Sequence, residues 1–148
     1  MRTACAHISL LLLLYAASTP ANAQAPATPS AAQLRELNAS FNTLFQAMKD
    51  GDVAVIEQYF SGQMGAEYKT LLEENQDYPA FLRNFYKGAT FSIAKVTPTL
   101  DGAMVVDVAI QLGGGSRSVT RLNAKRFDGP PPTWKVTGVA RPNNKNPQ

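Results

Sequence analysis

The hydrophobic period of this chain changes once, near Gly88, and that change decides what it can fold into. Before it, apolar residues recur every three or four positions, as on one face of a helix. After it they alternate, as on a half-buried strand. Helical segments gathered ahead of consecutive strands give an α+β domain rather than a βαβ fold.

Ser30-Ala31-Ala32-Gln33 matches a capping box, in which Ser30 and Gln33 each satisfy a free backbone donor of the other. Leu34, Leu37, Phe41, Leu44, Phe45 and Met48 then lie on one helical face. Gly51 suits the left-handed cap at the end of that helix. Asp52 can cap a shorter helix carrying Val53, Ile56, Tyr59 and Phe60. Ser61 to Gly65, with two glycines, reads as a loop. A third helix follows, with Tyr68, Leu71 and Leu72 inward. Pro79 sits in the first turn of a fourth, with Phe81, Leu82 and Phe85 apolar and Gly88 closing it.

The alternating half holds strands over Thr90–Thr97, Ala103–Leu112, Ser116–Phe127 and Thr133–Ala140. Asp101-Gly102, Gly113-Gly114-Gly115 and Asp128 to Pro132 connect them. The second strand is the clearest: Met104, Val106, Val108, Ile110 and Leu112 face one way, and Ala103, Val105, Asp107, Ala109 and Gln111 the other. The expected architecture is N-terminal helices packed on a curved antiparallel sheet of about four strands.

The first residues read as an export leader over 1–23. A positive start at Arg2 precedes the apolar run Ile8 to Ala17, and Ala21-Asn22-Ala23 fits the small-residue cleavage pattern. That run is about 10 residues, against the roughly 20 that span a bilayer, so no stable membrane anchor is expected. Cleavage before Gln24 places the protein outside the cytoplasm, secreted or periplasmic. It also removes the single cysteine, Cys5, and the single histidine, His7. Cys-His and Ser-His catalysis, disulfides and ordinary zinc sites go with them. No cofactor is expected. Residues 24–30 read as a flexible leader, 31–140 as the domain and 141–148 as a disordered polar tail.

The Lys49-Asp50-Gly51-Asp52 helix end, Tyr59-Phe60, the run from Ala80 to Tyr86 into Phe91-Ser92-Ile93, the strand pair around Asp101-Gly102 and the closing Trp134-Lys135-Val136 resemble the nuclear transport factor 2-like superfamily. Over most of Ala31 to Val139 the chain is similar to its cystatin-like α+β roll. Two departures stand beside the resemblance. Members insert a strand between the second and third helices, where Ser61 to Ala66 does not read as one. No set of Asp, His and Tyr residues here matches the ketosteroid isomerase-like or polyketide cyclase-like enzymes of the superfamily. The superfamily also includes many exported, non-catalytic domains, so the resemblance leaves room for such a role, and it makes a homodimer through the sheet plausible.

Asp107 is the ionisable residue that most invites a function, because it interrupts a run of Val, Ala and Ile. A symmetric loop at the three glycines sets Asp107 opposite Arg121, Gln111 opposite Arg117 and Ala109 opposite Val119; a slip of one residue separates them. Asp107 is then either a general base in a pocket or half of a salt bridge on the face away from the core. The apolar opposite face favours the salt bridge. Tyr59, Tyr68, Tyr78 and Tyr86 are candidates to line a cavity, although tyrosines at helix ends more often keep the hydroxyl wet. Glu73, Glu74 and Asp77 read as a solvated face.

Charge is unevenly spread. Residues 24–89 carry 5 basic and 8 acidic side chains, and residues 90–148 carry 8 basic and 3 acidic. Arg117, Arg121 and Lys125 share one strand face, the best candidate anion surface. Nothing there alternates with aromatics as nucleic-acid binding would require, so no nucleic-acid partner is expected. The expected function is a non-catalytic roll that binds a small apolar molecule or acts as an envelope interaction module. The alternatives are a small enzyme using Asp107 and a basic sheet face that docks anionic envelope polymer.

Overall fold

The computed structural model describes residues 25–140. The expected export leader and polar tail lie outside them. Four helices precede four strands: α1 (Ala31–Asp50), α2 (Val53–Tyr59), α3 (Gly62–Glu74), α4 (Tyr78–Phe85), then β1 (Thr90–Pro98), β2 (Met104–Gln111), β3 (Arg117–Phe127) and β4 (Thr133–Val139). The strands form one antiparallel sheet in the order β1-β2-β3-β4. This is an α+β fold, with the helices N-terminal to the sheet.

The helix ends follow from their caps. Ser30 accepts from the Gln33 amide at 3.1 Å, and Gln33 returns the contact to the Ser30 amide at 2.9 Å. Gly51 ends α1 at φ 66° with its N–H on the Ala47 carbonyl. Asp52 accepts from the Val55 amide at 3.1 Å and so starts α2.

The core lies between the helices and one sheet face. It holds Leu37, Phe41, Leu44 and Phe45 of α1, Ile56 of α2, Tyr68 of α3 and Leu82 of α4. The sheet contributes Met104, Val106, Val108, Ala124, Trp134 and Val136. One buried polar residue stitches the layers: the Ser40 hydroxyl of α1 accepts the Trp134 amide of β4 at 3.0 Å.

Two glycines let backbones meet around α4. A Cβ on Gly51 would lie 2.3 Å from the Pro79 carbonyl oxygen, at one end of the helix. A Cβ on Gly113 would lie 2.6 Å from the Lys87 carbonyl oxygen, just past the other end. The helix is therefore held at both ends by contacts only glycine allows.

Two expectations need correction. Ser61 to Gly65 is not a loop: α3 begins at Gly62, and the Gly65 N–H already bonds the Ser61 carbonyl at 3.2 Å. Two glycines cost helix propensity, but packing of Met64, Tyr68 and Leu72, four residues apart, outweighs that. Leu71 is not inward; it lies off that stripe and is exposed. The chain just before α3 also touches the sheet, since Phe60 bridges Val136 in parallel and the Ser61 N–H bonds the Val136 carbonyl at 2.9 Å.

Candidate functional site

Alternation along β2 gives the sheet two unlike faces. Val106 and Val108 point into the core, while Val105, Asp107 and Ala109 point outward. The three-glycine loop is symmetric in register: Asp107 pairs with Arg121, Gln111 with Arg117 and Ala109 with Val119. On the other side of β2, a bulge between Ile93 and Lys95 sets Lys95 opposite Asp107. A row of Lys95, Asp107 and Arg121 thus crosses three strands.

Arg121 grips Asp107 with two parallel hydrogen bonds, Nε to Oδ1 at 2.7 Å and Nη2 to Oδ2 at 3.1 Å. The Asp107 side chain keeps 14 % of its exposure. The Arg121 hydrogen bond, and then the charges of Arg121 and Lys95, hold the Asp107 carboxyl below its ordinary range. A carboxylate stabilised in its charged form is a poor general base. Lys95 was not among the sequence candidates, because a bulge inside β1 decides which residue meets Asp107 and no residue pattern announces it.

Of the three expected anion-binding side chains, two are occupied. Arg121 holds Asp107, and Lys125 lies 3.3 Å from Asp101 across the neighbouring turn. Arg117 has no carboxylate partner among the described residues. It borders a concavity of about 460 Å³ floored by Ala109. A second outward concavity, about 440 Å³, runs past Asp107 and Arg121 to Val139. Val119 borders both and is 66 % exposed.

The tyrosines lie on the other side of the sheet, in the helical layer. Tyr59 packs against the core at the end of α2. Tyr68 sits edge-on to Phe60 at 5.0 Å and to Tyr78 at 5.8 Å. From Tyr78 the rings continue through Phe81, Phe85, Tyr86 and Phe91 to Phe45, with centroids 4.7–5.8 Å apart. The Tyr68 hydroxyl is buried and has no hydrogen-bond partner among the described residues, contrary to the expectation of a wet one. Burial raises the pKa of Tyr68, Tyr78 and Tyr86 above the ordinary phenol value, and the nearby Tyr78 adds to the rise at the other two. Asp107 and these phenols, which an enzyme reading would combine, are separated by the sheet.

Among the described residues no three His, Cys, Asp or Glu side chains are placed to hold a metal ion, and no helix is long and apolar enough to cross a membrane. No protein-family model, no curated protein and no solved structure matches the chain.

Proposed function

We propose that the protein is an exported roll of the nuclear transport factor 2-like type that works without catalysis, as an interaction module docking through the outward face of its sheet. The observation that carries this reading is Val119, 66 % exposed near the start of β3 between two concavities, with Val139, also exposed, bordering one of them. An apolar side chain so exposed beside concave surface is what an interface centre requires. The Asp107–Arg121 pair next to it neutralises itself, so it supplies register rather than net charge. The Phe60–Val136 bridge is consistent with the superfamily type, since it lies where members carry an extra strand. The outward face is also where a second copy would pair.

The test is site-specific photo-cross-linking in an exporting host, with the reactive residue at Val119 or at Leu100, which is 79 % exposed in the β1–β2 turn. A discrete adduct from position 119 and none from 100 is expected, its mass separating a second copy from another partner. Equal adducts from both positions, or none from 119, would refute the reading.

A second reading, binding of a small apolar molecule, rests on the unpartnered Tyr68 hydroxyl. A ligand carrying one acceptor atom would satisfy it. Native mass spectrometry of protein from that host tests this reading: a retained small molecule supports it, and a bare protein counts against it.

A further inference from the structure

We propose that the end of the sheet where β1 begins is a binding groove for a hydroxyl-rich chain with sparse carboxylates, an acidic polysaccharide. This rests on the reading of the outward face as the working surface and names its ligand. The concavity beside Arg117 does not stop at the sheet edge. Thr90, the exposed first residue of edge strand β1, lines it and also lines a further concavity of about 350 Å³ between α1 and β1. The two grooves meet at Thr90, one on each side of the edge.

Each groove carries one cation without a carboxylate partner among the described residues, Arg117 outside and Lys49 inside. The other sheet arginines are engaged: Arg121 with Asp107, and Arg126 with Glu36 and Asp128. Asp50, the acid next to Lys49 in sequence, accepts both of its hydrogen bonds from the Gln46 amide and borders a different concavity. That arrangement leaves the Gln46 carbonyl oxygen available as an acceptor.

Around the two cations, beside apolar Ile110 and Phe91, the walls carry neutral polar groups: Thr90, Ser92 and Gln111 outside, Asn42 and the Gln46 carbonyl inside. Two separated cations among hydroxyls and amides suit a sugar chain with an occasional carboxylate. A phosphate polymer would demand a denser basic lining. The guanidinium of Arg117 can take a carboxylate with two parallel hydrogen bonds. Lys49 offers a point charge for the next.

The test uses the full chain and an unbranched, partly methyl-esterified oligogalacturonate of uniform length, whose free carboxylates are spaced out, followed by calorimetry and by amide chemical shifts. Binding is expected, weakening as salt rises, with shifts at Thr90 and Ser92. Arg117→Gln should weaken it about tenfold and Lys49→Gln about threefold, while Lys135→Gln, across the sheet, leaves it unchanged. The fully methyl-esterified oligomer should bind at least about tenfold more weakly. Absence of oligogalacturonate binding, or binding that both groove variants leave intact, overturns the proposal. Equal binding of poly-glutamate overturns the polysaccharide assignment in favour of an acidic peptide. If the oligomer fails while the position-119 cross-link still forms, only the ligand class is lost; if both fail, the outward-face reading falls with it.

Discussion

Gly113 and Gly114 are neighbours in one hairpin loop, yet alanine should have opposite effects at the two. A Cβ on Gly113 would come within 2.6 Å of the Lys87 carbonyl oxygen, and that atom is backbone. No side-chain rotation relieves the contact. Either the β2–β3 hairpin or the segment after α4 has to move, and α4 is also held at its far end, where Gly51 meets Pro79. Overpacking of this kind costs about 1–3 kcal/mol. A Cβ on Gly114 meets nothing within 4 Å, and its φ lies outside the left-handed region. Alanine there stabilises by about 0.4–1 kcal/mol through the unfolded chain. The same unfolded-state gain offsets part of the clash at Gly113, leaving a net loss of about 1–2 kcal/mol there. In a domain of this size about 1 kcal/mol moves the Tm by roughly 4 °C. Thermal unfolding followed by circular dichroism should therefore place Gly113→Ala about 4–8 °C below the parent and Gly114→Ala about 2–4 °C above it. Two variants with the same Tm would show that α4 is not held by the hairpin, and the account of its position would fail.

Ser40→Ala leaves the buried Trp134 amide without its acceptor and should cost about 1–3 kcal/mol in urea unfolding; a loss under about 0.5 kcal/mol would mean that water replaces the hydroxyl. Tyr68→Phe removes a buried, unpartnered hydroxyl and should stabilise ligand-free protein by about 1 kcal/mol, whereas destabilisation would reveal an acceptor that satisfies it. Asp107 has a lower pKa folded than unfolded, so its stabilisation is present above the unfolded value of about 4 and fades as pH falls through the folded one. Urea midpoints should consequently fall more steeply on acidification for the parent than for Asp107→Asn, and parallel curves would contradict the ion pair. Tyr68, Tyr78 and Tyr86 have raised values, so folding favours their neutral forms and stability declines as pH rises above about 10. Phenolate absorbance should show ionisation of these three coinciding with unfolding, and early, reversible ionisation of all tyrosines would refute their burial.

What the sequence disclosed follows the reach of each signal. The Ser30–Gln33 box and the glycine at 51 act within one turn, so the ends of α1 were legible. The β2–β3 register was half legible: a symmetric three-glycine loop gives the observed pairing, but the glycines alone leave a slip of one residue open, and it is Val106 and Val108, by needing the core, that lock it. The start of α3 was not, since Gly62 and Gly65 argue locally for a loop and only contacts of Met64, Tyr68 and Leu72 with distant residues reverse that. Ser40 looked like any helix serine; its importance comes from an edge-strand amide 94 residues away. The phenol cluster was half legible. Its tyrosines stood out, but the burial of the Tyr68 hydroxyl depends on how α3, α4 and the end of α2 come together.

The separation of Asp107 from the tyrosines ranks the readings of function. A single substrate inside the roll meets phenols and rings, while the carboxylate lies behind β2, gripped by Arg121. For Asp107 to serve as a base, the Arg121 fork would have to open and the substrate would have to sit on the outward face, away from the phenols. An interaction surface asks for none of this. It needs an apolar centre, a row of fixed charges for register and a rim with unspent hydrogen-bonding capacity. Val119, the Lys95–Asp107–Arg121 row and the Arg117 groove meet those needs without rearrangement. Asp107→Asn thus discriminates between the two functions as well as probing stability. Docking that is weakened but retained in it while Val119→Asp abolishes docking is the interaction module's pattern, and dependence on Asp107 alone is the enzyme's.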